Sequence, residues 1–236
     1  MAMRQVFLDT ETTGLSASSG DRIIEIGCIE MIGRRLTGRT LHAYVNPQRP
    51  SHPDAIKVHG LSDDFLADKP LFAALADELM AFVLGAEVII HNAEFDVGFI
   101  DEELRRLNRP GFAGQVGAIT DTLLMAREFY PGKSNSLDAL CRRLEVDNSK
   151  RTVHGALTDA SLLAEVYVRM TRGQGTLVIG LDDQDSEGAT LDAVDLSQLK
   201  LPVLEPSSEE LAAHEQVLVE LDASSGGKTT WRSAMA

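Results

Sequence analysis

Asp9 and Glu11 in Asp9-Thr10-Glu11-Thr12-Thr13-Gly14, Asp96 in Asn92-Ala93-Glu94-Phe95-Asp96, and His154 with Asp159 supply four carboxylates and an imidazole from three distant fragments. Two hard divalent cations held by such a set, with an imidazole as base, can hydrolyse a phosphodiester. Asp9 and Glu11 stand two apart at a strand end, so both side chains point to one face and can share a cation. The apolar run Val6-Phe7-Leu8 before them reads as a central strand, which puts the acids at the mouth of the core. Asp96 follows the apolar strand Val88-Ile89-Ile90 and falls in the first turn of a helix, where it would also serve the helix dipole. His154 stands just before a helix and Asp159 about one and a half turns on, on the inward side. Each fragment alone has an ordinary reading, as an acidic turn, a first-turn acid or a lone surface histidine. Their joint occurrence is what points to a site.

The elements that must position them follow from periodicity. Arg4 to Asp9, Ile23 to Ile32 and Leu41 to Asn46 read as strands with short connections. Leu71, Leu75, Leu79 and Phe82 mark a helix, Glu87 to His91 a short buried strand, and Phe95, Phe99 and Leu104 a further helix. Val116 to Asp121 is a strand. Helices follow at Thr122 to Phe129, at Ser136 to Leu144 after the Pro131-Gly132 breaker, and from Gly155 to about Arg172. Three strands followed by alternating helix and strand imply an α/β fold with a mixed sheet flanked by helices.

Composition bounds the rest. The 236 residues, 44% hydrophobic and 25% charged, suit one domain with an appendage. The start lacks a long apolar run and no later stretch reaches the roughly 18 apolar residues of a spanning helix, so a cytoplasmic protein with no membrane partner is expected. Cys28 and Cys141 sit singly in apolar stretches and read as reduced core residues. The formal charge of −14 disfavours tight binding of long duplex, but −9 of it falls after Arg172, and bound cations would offset the body's acids locally. An acidic body can then still hold the end of a polyanion.

Residues 173–206 read as a flexible acidic linker, with Asp182, Asp183, Asp185 and Glu187. A last helix is expected from Ser208 to Leu221, because Ser207 and Glu210 have capping-box spacing and Leu211, Leu218 and Leu221 recur on one side. Trp231, the chain's one tryptophan, lies beyond Gly226-Gly227 and is more plausible as an interface anchor than as core.

The three acidic fragments, in this order and spacing, resemble the DEDD-type 3′–5′ exonucleases of the histidine-bearing branch, on the ribonuclease H-like fold. Within that family the chain is similar to the proofreading branch that serves bacterial DNA polymerase III. That likeness extends over Arg34-Arg35-Leu36-Thr37-Gly38, Val58-His59-Gly60, Pro131-Gly132-Lys133, Asn135-Ser136-Leu137-Asp138-Ala139-Leu140-Cys141, Asp147-Asn148-Ser149-Lys150-Arg151-Thr152 and Trp231-Arg232, nearly end to end. It implies that Asp9, Glu11 and Asp159 bind two divalent metal ions, Mg2+ or Mn2+, with Asp9 bridging both and Asp96 completing the site. It makes His154 the general base and a 5′-mononucleotide the product released from a DNA 3′ end. For the terminal nucleotide it implies contacts from Asp54 and His59, beside Asp9, Glu11 and Asp159, and pocket walls from Thr12, Thr13 and Phe95. His59 has a second reading, as a turn residue before Gly60.

The resemblance divides the chain into an exonuclease domain over 1–172, the linker, and a segment 207–236 that binds the polymerase alpha subunit through Leu211, Leu218 and Trp231. A small theta subunit is a further partner that it allows. Gln174, Leu177 and Ile179 are similar to the short peptide that docks on the sliding clamp (beta), although Gly175 and the final Ile179 depart from the usual pattern and imply weak binding. Two rivals share the residues: a nuclease that trims RNA 3′ ends, against which the tail speaks, and a noncatalytic scaffold between clamp and polymerase, against which the complete ligand set speaks.

Overall fold

The computed structural model describes residues 3–149, 151, 153–172 and 206–226. The chain divides into two compact units, 1–179 and 180–236. In the first, a five-stranded sheet runs in the order β3-β2-β1-β4-β5. β1 (Arg4–Thr12), β2 (Ile23–Ile32) and β3 (Arg35–Tyr44) are antiparallel, while β4 (Glu87–Ile90) and β5 (Ala118–Asp121) join β1 in parallel. A mixed sheet follows from the connections: short turns return the chain antiparallel, whereas helical crossovers deliver parallel strands.

β1 is central and buried on both faces. Val6 and Leu8 pack with Ile26, Val88 and Ile90 under α3 (Phe72–Val83) and α4 (Ala93–Arg106). Phe7 points the other way, to Ile29, Met31 and Ile89 under α7 (Ala156–Met170), whose Ala160, Leu163 and Val166 close that layer. The period of two then assigns the acids: Asp9 and Glu11 continue the Phe7 face toward α7, and Thr10 continues the Leu8 face toward α4. α5 (Thr122–Phe129) and α6 (Leu137–Arg143) flank the parallel side, with Leu137, Leu140 and Cys141 in the second layer. Cys28 and Cys141 are both free and buried, as expected.

The strands and long helices lie where periodicity puts them, with three differences. β3 begins at Arg35 rather than Leu41, because an edge strand with exposed Arg35, Thr37 and Arg39 carries no apolar alternation. β1 continues past Asp9 to Thr12, since Thr10, Glu11 and Thr12 keep pairing with β2 as far as Ile23. Two short helices, α1 (Pro53–His59) and α2 (Asp63–Leu66), occupy a stretch without a readable period.

In the second unit, α8 (Ser208–Ser225) starts with the expected capping box, Ser207 and Glu210 satisfying each other's backbone N–H, and ends at left-handed Gly226. Leu211, Val217, Val219 and Leu221 are exposed and Leu218 is buried. Gln174, Leu177, Ile179, Trp231 and most of the linker lie outside the described residues. No helix among the described residues is long and apolar enough to cross a membrane.

Candidate active site

Four backbone devices bring the acids together. The parallel register of β1 and β4, with Phe7 beside Ile89, sets the ends of both strands side by side. At the end of β4, Asn92 takes a left-handed conformation, φ 72°, which turns the chain sharply into α4. Asp121, ending β5, then fixes that helix start by accepting from the backbone N–H groups of Asn92 and Ala93 at 3.2 and 2.9 Å. The same carboxylate caps α5 through Leu123 and Leu124. On the opposite face Gly27, paired across from Asp9, lets the first turn of α7 settle on β2, because a Cβ there would lie 2.3 Å from the backbone of Ala156 and Leu157.

The result is a polar cavity of about 570 Å³ whose lining includes Asp9, Glu11, Asp96, His154 and Asp159. Glu11, Asp96 and Asp159 are buried, and Asp9 is partly open to the cavity. Donor atoms of Glu11, His154 and Asp159 all lie within 4.8 Å of one another. Thr10 donates to Oδ1 of Asp96 from its backbone N–H and its hydroxyl. His154 is held by its backbone N–H on Val58 O at 3.0 Å, and its ring is 44% exposed, facing the cavity.

Like charges in one buried place resist ionisation. Burial, then Asp96, Asp159 and Glu11, raise the Asp9 carboxyl well above its usual range. Burial, with Asp159, Glu25 and Asp96, pushes Glu11 up to about 8. Burial raises Asp96 to about 7 against the hydrogen bonds from Thr10, which favour its charged form. Hard oxygen donors so crowded fit a divalent cation of the Mg2+ or Mn2+ class, which relieves the repulsion.

Phe95 lines the cavity and packs on Phe99, ring centroids 4.9 Å apart. The hydroxyl of Thr12 donates to Gly14 O and that of Thr13 to Asp21, so both shape the turn after β1. Asp54 is exposed, pairs with Lys57 and lines a separate depression with Leu15 and His52. His59 ends α1 before left-handed Gly60; its Nδ1 accepts from Leu61 N–H, and its buried Nε2 has no partner among the described residues. His91 supports the strand end through Thr122 and also lines the cavity.

Periodicity alone did not reveal Thr10, Asp121, Glu25 or Arg151. Glu25 pairs across from Glu11 and lies 2.7 Å from His42 Nε2, adding a fifth acid, itself buried. Arg151, with a side chain only 7% exposed, bridges Asp138 and Asp159.

Residues 6–167 match the family model described as Exonuclease. The DNA polymerase III subunit epsilon of Pasteurella multocida is 50% identical over 99% of this chain and 95% of its own, and that of Escherichia coli is 48% identical over 98% of each. Among solved structures, exonuclease X in complex with 5′-overhanging duplex DNA superposes with a TM-score of 0.55 at 24% identity, over 74% of this chain and 94% of that one. The nuclease domain of 3′hExo, a DEDDh family member bound to rAMP, gives 0.61 at 19% identity, over 72% and 92%. These two likenesses establish the fold, a mixed sheet flanked by helices. The chain belongs to the exonuclease family and, within it, to the DNA polymerase III epsilon subunits.

Proposed function

We propose that this 3′–5′ exonuclease of the epsilon group proofreads for a bacterial replicative polymerase, releasing 5′-mononucleotides from mispaired DNA 3′ ends in the cytoplasm. The observation that carries this is the convergence of Asp9, Glu11, Asp96, Asp159 and His154 on one cavity. Asp9, Glu11 and Asp159 would hold two divalent ions, Mg2+ or Mn2+, with Asp9 shared and Asp96 completing the set. When bound, the ions supply an activated water and positive charge against the departing 3′ oxygen.

The chain's own groups do the rest. His154, on the rim, takes the proton of the attacking water. Thr10 keeps Asp96 turned toward the other acids. Phe95 offers an apolar wall to a base, and Arg127 and Lys133, which line the same cavity, offer cations to the strand's phosphates.

For partners, we assign 207–236 to the polymerase alpha subunit through Leu211, Leu218 and Trp231, and Gln174, Leu177 and Ile179 to weak docking on the beta clamp, with theta as a further partner. An assay of the purified chain on paired and mispaired DNA primers and on an RNA of the same sequence, with Mg2+ or chelator, tests the reading. Faster Mg2+-dependent release from the mispaired DNA end supports it; preference for RNA refutes it.

A further inference from the structure

We propose that Arg151 competes with the divalent cation for Asp159 and thereby sets the tautomer of His154, an inference that rests on the assignment of Asp159 as a metal ligand. Nε and Nη2 of Arg151 donate to Oδ1 and Oδ2 of Asp159 at 2.6 and 2.5 Å, so one guanidinium engages both oxygens of the carboxylate that would hold a cation. Nη2 also lies 2.7 Å from Nδ1 of His154. A guanidinium has donors and no acceptor, so Nδ1 is the accepting nitrogen and the neutral ring carries its proton on Nε2. A ring in that form has no lone pair free to take a proton from water. The contact that closes Arg151 onto the site therefore also withholds the base.

The remaining arm has somewhere else to go. Nη1 donates at 2.6 Å to Oδ1 of Asp138, an oxygen that Asn148 Nδ2 also holds at 3.1 Å. Asp138 belongs to α6, outside the ligand set, and offers the guanidinium a second anion. A guanidinium fork and a dication on one carboxylate repel each other, so metal binding at Asp159 shifts Arg151 onto Asp138. Oδ2 of Asp159, 3.4 Å from Nδ1 of His154, then stands in place to accept from an Nδ1–H, which leaves Nε2 free for the water's proton. Arg151 is a positioning residue with two anions to choose between.

The test titrates Mn2+ by calorimetry, at one pH, into the chelator-stripped full chain and its Arg151→Gln and Asp138→Asn variants. Arg151→Gln is expected to bind Mn2+ roughly tenfold more tightly, the scale of outer-shell effects on metal affinity, and Asp138→Asn to bind it more weakly. In the unmodified chain, which needs no variant to fold, saturation with Mg2+ is expected to move the His154 ring proton from Nε2 to Nδ1 by nitrogen NMR. Equal or weaker Mn2+ binding in Arg151→Gln, or a tautomer unmoved by Mg2+, overturns the proposal. Asp159→Asn separates the two layers: if it abolishes Mn2+ binding while Arg151→Gln changes nothing, competition alone fails. If Asp159→Asn binds Mn2+ undiminished, the ligand assignment fails with it.

Discussion

Thr10 gives both its backbone N–H and its hydroxyl to a single oxygen, Oδ1 of Asp96, at 3.0 and 2.7 Å, across 86 positions of sequence. It is the one alternate residue between Asp9 and Glu11, and it faces the helix that the other two turn from. Thr10→Val keeps the shape and removes a buried hydrogen bond to a carboxylate, for which a loss of about 1.5–3 kcal/mol is expected in urea unfolding. Asp96 also loses a group that favours its charged form, so Mn2+ binding near neutrality weakens. Unchanged stability and metal affinity would show that the bond is incidental.

The raised carboxyls make a pH prediction. Glu11 goes from an ordinary 4.5 to about 8 on folding and Asp96 from 3.8 to about 7, so between those limits the folded chain holds protons that the unfolded chain has released. Their contribution to stability is full below the unfolded values and is lost as pH rises through about 7 and 8. In chelator the melting temperature therefore falls from pH 6 to pH 8. Mg2+ binds the ionised forms, so the gap between Mg2+ and chelator widens with pH. A gap that is constant over that range argues that these acids do not share a cation.

Gly27→Ala tests how α7 reaches the sheet. The added methyl would meet main chain of Ala156 and Leu157 at 2.3 Å, and backbone cannot rotate aside as a side chain can. A loss of about 3 kcal/mol is expected, at the upper end of overpacking effects, together with weaker Mn2+ binding because Asp159 rides on the displaced turn. Denaturant unfolding and metal titration on the same sample measure both. A stable variant with full metal affinity would mean that the close approach does not set the position of Asp159.

Removal of everything after Arg172 leaves the five-stranded sheet, its helices and the lining of the cavity in place. Nucleotide release by the shortened chain is expected to match that of the full chain, while pull-down of the polymerase alpha subunit is lost. Equal capture of alpha by both chains would move its binding surface into 1–172.

What could be read from the sequence was whatever depends on local period. The shared face of Asp9 and Glu11, the helix under Asp159 and the capping box at Ser207 follow from spacings of two, three and four. Convergence itself was not local: it comes from the parallel register of β1 and β4 and from Asp121 fixing the turn at Asn92, both pairings of distant chain. The charged first half of β3 hid because an edge strand exposes its residues, and α1 because seven residues are too few to show a period. Arg151 stood inside a stretch already singled out for its resemblance, yet its hold on Asp159, His154 and Asp138 is a matter of three-dimensional charge placement. The hydroxyl partners of Thr12 and Thr13, Gly14 O and Asp21, likewise follow from the turn after β1 and not from any period.

The central claim, that distant carboxylates act as one metal-dependent centre, is tested most directly by single-turnover release of the terminal nucleotide from a mispaired primer in Mg2+, comparing the chain with Asp9→Asn. Chelator is expected to abolish release, and the variant to slow it by roughly 10²–10³-fold or more, the scale of losing one electrostatic stabiliser of a transition state. Release by Asp9→Asn at the unmodified rate, or release that persists in chelator, would contradict the account.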